Sequence, residues 1–152
     1  MNITSGGLDD PRVQVLIAHH FHTARMQTDL SSAHALDLHG LRGADIWFWS
    51  VWEGDQVIGI GALKRLSEAE GEIKSMHTSL TQRRKGVGSA LLNHIVGVAG
   101  QLGMSRLNLE TGIQPYFEPA LALYRRYGFV ECPPFGDYVA DPNSVFMTLE
   151  LG

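Results

Sequence analysis

Arg83-Arg84-Lys85-Gly86-Val87-Gly88-Ser89 is the stretch on which the reading of this chain turns. It stands between a strand-like run and a run with helical spacing, Leu91, Leu92, Ile95, Ala99 and Leu102. Glycines at a helix start let backbone N–H groups approach a ligand closely. The first N–H groups of a helix have no partner within it, and the helix dipole adds about half a positive charge at that end. Three neighbouring cations strengthen the field. These features together suit a phosphate or pyrophosphate. A capped helix with a solvated basic turn reads the same from helix physics alone. The Gly-x-x-x-x-Gly-Lys-Ser/Thr spacing of a Walker A loop is absent. The dinucleotide fingerprint needs a third glycine where Leu91 stands.

Upstream, residues 46–52 (IWFWSVW) are rich in aromatic and β-branched side chains and predict a strand. Glu53-Gly54-Asp55-Gln56 supplies turn residues, and residues 57–63 predict the other arm of a hairpin. Residues 67–71 read as a polar turn. Residues 72–78, with Ile73, Met76 and Thr78, add a third strand to an antiparallel meander. Residues 11–26 predict a helix with Pro11 in its first turn and Asp10 as its cap. Downstream, Gly103 closes the long helix, and residues 105–111 alternate as a strand. Pro119, Ala120, Leu123, Tyr124 and Tyr127 form a second helical stripe, stopped by Gly128. Residues 129–132 and 145–151 predict two last strands. The expected order is strand, helix, three strands, helix, strand, helix, two strands. That order describes a mixed α/β sheet covered by helices, in a single domain over 1–152.

The 152 residues are enough for one ordinary domain with a sizeable core. A composition 44% hydrophobic and 18% charged argues against intrinsic disorder. The net charge of -4 argues against a nucleic-acid partner, which calls for a strongly basic face. Cys132 is the only cysteine, so no internal disulfide forms, which fits a reducing compartment. No apolar run approaches the ~18 residues that would span a bilayer. The first eleven residues lack the pattern of a signal peptide. The expectation is a soluble, cytoplasmic protein with no membrane partner.

Arg83-x-x-Gly86-x-Gly88 resembles the acetyl-CoA pyrophosphate motif of the GNAT N-acetyltransferase superfamily. Ala120-x-x-Leu123-Tyr124-x-x-x-Gly128-Phe129 resembles the second hallmark of that family, in the right order and on a matching element. Phe117 departs from the pattern, standing where many members carry a cofactor-contacting Asn. The resemblance implies the GNAT fold: a mostly antiparallel central sheet, flanked by helices, whose strands ending near Thr78 and Thr111 splay apart. It implies acetyl-CoA as cosubstrate, with no metal. The pantetheine arm would enter the splay and pair with backbone groups of Met76 and Thr78, as an added strand would. Backbone N–H groups of Arg84, Lys85, Gly86, Val87, Gly88 and Ser89 would hold the pyrophosphate, with side-chain charge from Arg83.

The same resemblance implies direct transfer of the acetyl group to a primary amine. Glu72, eleven residues before Arg83, matches the general base of the histone-modifying members. Read from the strand alone, Glu72 is a solvent-facing residue paired with a lysine such as Lys74. Tyr124 matches the family's general acid; read from periodicity alone, it belongs to the core stripe with Ala120, Leu123 and Tyr127. Tyr127 is expected to pack.

His19, His20 and His22 lack a third ligand at a metal-binding spacing and read as a helix face. His77, between Met76 and Thr78, either lines the acceptor site or packs. Cys132 reads as structural. By position, the acceptor pocket would draw on His34, Trp49, Phe135, Gly136, Asp137 and Tyr138. Asp137 is either an ammonium ligand or a turn residue. The expected activity is acetyl transfer to a small amine or amino acid. Alternatives are a protein N-terminal or lysine acetyltransferase, a non-catalytic acyl-CoA-binding regulatory module, and a nucleotide-phosphate binder. A homodimer is compatible with all of these readings.

Overall fold

The aromatic run forms β2 (Ile46–Glu53) and turns at Gly54, where φ is +60°, into β3 (Gln56–Arg65). β4 (Glu70–Thr78) follows. These three strands make the expected antiparallel meander. β1 (Asn2–Ser5) pairs with β2 at the flank. Beyond β4 come α3 (Val87–Gln101), β5 (Arg106–Gly112), α4 (Glu118–Tyr127), β6 (Val130–Glu131) and β7 (Ser144–Glu150). α1 (Pro11–Gln27) and the short α2 (Leu38–Leu41) lie between β1 and β2 in sequence. The computed structural model describes residues 1–27, 37–78 and 86–152. Among these, no helix is long and apolar enough to cross a membrane.

The seven-stranded sheet runs β1-β2-β3-β4-β5-β7-β6, and only the central β4–β5 pair is parallel. Its two faces bury different cores. Leu91, Leu92, Ile95 and Ala99 of α3, with Leu121 and Tyr124 of α4, pack on one face against Trp49, Val51, Leu63, Ile73, Leu107 and Leu109. Val13 and Ile17 of α1, with Leu41 of α2, pack on the other against Phe48, Ile60 and Ala62.

Helix ends follow the sequence signals. Asp10 caps α1 by accepting from the Arg12 N–H at 2.8 Å. Gly103, at φ +83°, ends α3, where the Met104 N–H reaches back to Ala99 O. Gly128, at φ +111°, does the same for α4. Two expectations are revised, and one element was not expected. The strand at 72–78 begins at Glu70, because the preceding turn is tighter than the polar run suggests. The strand expected over 129–132 is paired only at Val130–Glu131, since the chain then enters a loop through two prolines. α2 has no sequence signal beyond its cap, Asp37, which accepts from the Gly40 N–H.

Candidate active site

The site is built where β4 and β5 part. Their parallel pairing runs from Glu70↔Arg106 to Ile73↔Leu109 and stops there. Beyond it, β4 continues to Thr78 on β3 alone, and β5 continues to Gly112 on β7 alone. The splay coincides with a bulge: Ser75 and Met76 together oppose Gly61, and Ser75 takes the left-handed value φ +57°. The extra residue explains the sequence pattern, in which Ile73 and Met76 lie three apart yet pack in the same core. His77 consequently faces α1.

Gly86 caps α3 at φ +80°, and no side chain caps that helix end. A Cβ at Gly86 would meet nothing within 4 Å, whereas one at Gly88 would lie 3.1 Å from Leu123 of α4. Gly88 thus brings the start of α3 close to α4 and within reach of Thr78. Among the described residues no side chain fills this helix N-terminus, and its place beside an unpaired strand margin fits a pyrophosphate joined to an amide-bearing arm. Gly86, Val87, Gly88 and Ser89 would hold the first, and Met76 and Thr78 the second. Arg83, Arg84, Lys85 and His34 lie outside the described residues.

Tyr124 projects from α4 into the core beside the splay, in edge contact with Phe129. Burial, and secondarily the charge of Glu110 on β5, pushes its phenol well above the ordinary range, so it holds its proton. Tyr127 is half-buried and donates to Asn93 at 2.9 Å, a packing role as expected.

Glu72 faces the opposite side of the sheet. Its side chain is 4% exposed, so it is not the solvent-facing residue that strand position alone suggests. Lys74 Nζ donates to Glu72 Oε2 at 3.2 Å and to Tyr138 Oη at 2.9 Å, and Tyr138 Oη donates to the same Oε2 at 2.6 Å. Burial and the Glu72 charge raise the Tyr138 phenol far above its ordinary value, so it too keeps its proton. Phe135 packs edge to face against Tyr138 and Phe146, and the three rings make an apolar wall.

A cavity of about 570 Å³ opens onto this cluster, lined by Lys64, Arg65, Glu72, Lys74, Asp137 and Tyr138 among others. The structure thus gathers Glu72, Asp137 and Tyr138 in one place, with Phe135 behind them. It does not bring Trp49 there. Trp49 is buried on the α3 face, in edge contact with His94 at 5.5 Å. Its neighbour Phe48 is the residue of that pair on the face covered by α1. His77 packs: its ring lies 5.5 Å from that of His19 and 4.9 Å from that of His20, with 3.1 Å between the Nδ1 atoms of His20 and His77. Among the described residues, no group of three or more His, Cys, Asp or Glu is placed to hold a metal ion.

The sequence reading missed Lys64 and Glu110. Lys64 is the direct cross-strand partner of Glu72. Glu110 follows Leu109, the last paired residue of β5, and accepts from Ser144 Oγ at 2.7 Å. The signal was there: Glu70, Glu72 and Lys74 alternate with buried residues on β4, and Asn108 and Glu110 do so on β5. Period-2 alternation puts these polar groups on one continuous face.

Comparison with known proteins agrees with this geometry. The family model described as Acetyltransferase (GNAT) family matches residues 16–129. The uncharacterised N-acetyltransferase YsnE of Bacillus subtilis is 49% identical, over 99% of this chain and all of its own length. The IAA acetyltransferase of Azospirillum brasilense is 41% identical over 79% of this chain and 78% of its own. A solved Klebsiella pneumoniae structure assigned as an acyl-CoA N-acyltransferase superposes with a TM-score of 0.80 at 29% identity, covering 99% of this chain and 97% of that one. A GNAT acetyltransferase from Elizabethkingia anophelis with acetyl-CoA bound shares the fold, with a TM-score of 0.70 at 17% identity and coverage of 98% and 97%. With the glycine-started helix, the splayed sheet and the tyrosine of α4 all in place, the chain belongs to the GNAT family of acetyl-CoA-dependent N-acetyltransferases.

Proposed function

We propose that this enzyme acetylates the amine of a small molecule or free amino acid, with Glu72 as general base and Tyr124 as general acid. The observation that carries the reading is the Glu72–Lys74–Tyr138 cluster, set in a cavity of about 570 Å³ between the end of β3, the middle of β4 and the 136–141 loop. That volume suits a small acceptor, within the usual range of roughly 300–1,000 Å³ for ligand pockets. Bound acetyl-CoA supplies the acetyl thioester. The start of α3 and the margin of β4 would orient it; a GNAT acetyltransferase that shares this fold has acetyl-CoA bound.

An alkyl ammonium has a pKa near ~10 and cannot attack until it loses a proton. Among the described residues both donors to Glu72 fall on Oε2, so Oε1 is the atom that takes this proton, directly or through water. Tyr124 Oη keeps its proton at every working pH and offers it where the leaving sulfur requires one. Asp137, at the rim of the cavity, attracts the cationic acceptor. The apolar wall of Phe135 and Tyr138 excludes water from one side.

Glu72→Gln tests the base. Without the carboxylate, the acceptor has to arrive already neutral, so turnover falls most at low pH. A pH–rate profile identical to that of the wild type removes Glu72 from the mechanism. An acceptor panel read by thiol release tests the substrate class; it holds amino acids, monoamines, a lysine-bearing peptide and IAA. Turnover confined to the peptide would move the assignment to a protein acetyltransferase.

A further inference from the structure

The cavity beside Glu72 carries charge of both signs. Lys64, Arg65 and Lys74 line it together with Asp45, Glu72, Asp137 and Asp141. Several of these groups are engaged within the protein. Lys74 serves Glu72 and Tyr138. The Arg65 guanidinium donates to the carbonyls of Ser67, Glu68 and Leu102 and lies over the Trp47 ring. Asp141 Oδ1 accepts from the Asn143 N–H. Lys64 is different. Directly opposed strand residues hold their side chains about 5 Å apart, yet Glu72 turns to Lys74 and Tyr138 and leaves its cross-strand partner Lys64 aside. Among the described residues, Lys64 makes no ion pair, although Asp45 lines the same cavity.

We propose that Lys64 seats a carboxylate of the acceptor, so that the enzyme takes an amino acid in preference to an amine that lacks one. This rests on the reading of the cavity as the acceptor site. Lys64 as a residue is half-buried and lines the cavity, where an ammonium gains from a charge-assisted hydrogen bond with an anion. Lys64 and Glu72 stand side by side on adjacent strands. In an α-amino acid one carbon separates the amine from the carboxylate, so a single small molecule can place its amine at Glu72 and its carboxylate at Lys64. Asp45 and Asp137 disfavour a second carboxylate and favour the cationic amine. The charges select a dipolar acceptor with a single negative group.

The experiment compares free amino acids with their own carboxamides and with the matching decarboxylated amines, in wild type, Lys64→Met and Lys64→Arg. For at least one amino acid, wild-type kcat/KM is expected to exceed that of its carboxamide by about tenfold or more. Lys64→Met is expected to abolish the preference through KM, with kcat little changed, and Lys64→Arg to retain it. The melting shift with acetyl-CoA checks that each variant is folded. Equal use of acid and carboxamide by the wild type overturns the proposal, independently of any variant. So does a preference that survives Lys64→Met. If amines are acetylated regardless of carboxylate, only the seat at Lys64 falls. If no small amine of any kind is acetylated while acetyl-CoA still raises the melting temperature, the small-acceptor reading falls and this inference with it.

Discussion

A single substitution separates the packing of Tyr124 from its proposed proton transfer. Its ring packs in the core with Leu121 and Phe129, while its hydroxyl is the proposed proton source. Tyr124→Phe keeps the ring, so stability should change by no more than about 1 kcal/mol. Turnover should fall by about 10²-fold, in line with losing a general acid, which steady-state kinetics at saturating acetyl-CoA would show. His20 gives a second residue-scale prediction, in pH. Burial, with His19 beside it, pushes His20 from about 6.5 down to about 4. The folded state therefore prefers the neutral ring, and the unfolded state binds the proton first. The stability this provides is full above pH 6.5 and is lost as pH falls from there towards 4. The ring is only partly shielded, so the loss should be on the order of 1–2 kcal/mol. Urea midpoints at pH 7.5 and 4.5 would measure it, and His20→Leu should flatten the difference. His77, whose ring meets those of both His19 and His20, and His19 are kept unchanged in that comparison.

At the scale of elements, what could be read in advance depended on periodicity. α3 and α4 carry single apolar stripes closed by glycine, and both were legible to within a residue or so. The hairpin of β2 and β3 was legible because aromatic and β-branched runs flank turn residues. Which side chain of β2 faces which core was not. Residues 46–52 are apolar on both faces, since helices cover both, so alternation cannot separate Phe48 from Trp49. For the same reason Trp49 was assigned to the acceptor pocket by position, and the structure places it under α3. Gly86 offers the prediction for this scale. It needs φ +80°, so Gly86→Ala strains the cap of α3 by about 1–2 kcal/mol while meeting no steric obstacle. The melting temperature should drop, and KM for acetyl-CoA should rise more than KM for the acceptor. An equal rise in both would detach the helix start from the cofactor.

For the whole molecule, the candidate site was legible on the cofactor side and only in part on the acceptor side. The glycine motif and the tyrosine of α4 sit in short continuous stretches, each with its own spacing. The cavity draws on the ends of β2 and β3, the middle of β4 and the 136–141 loop, which meet only through the strand order. No local pattern announces that Lys64 and Tyr138 share a wall. Occupation of the cofactor site should stabilise the entire fold. At a hundred times its dissociation constant, acetyl-CoA contributes about 2.7 kcal/mol. A domain of this size would then melt roughly 5–10 °C higher. ATP, which lacks the pantetheine arm, should produce a much smaller shift in the same thermal scan.

The parting of β4 and β5 has a consequence for how the chain exchanges its amide hydrogens with solvent. Sheets ordinarily keep their open margins at the flanks, where charge or a covering element guards them. Here two margins lie in the interior of the sheet, at Lys74–Thr78 and Glu110–Gly112, each strand tied on one side only. Four register pairs, Glu70↔Arg106 to Ile73↔Leu109, join the two halves of the sheet. In deuterated water the backbone just past Ile73 should therefore open more readily than the backbone just before it, though both belong to one strand. An extended molecule lying between the margins would slow that exchange on both strands at once. The rate at which these amides take up deuterium would then serve as a label-free gauge of occupancy, independent of whether any acetyl group is transferred.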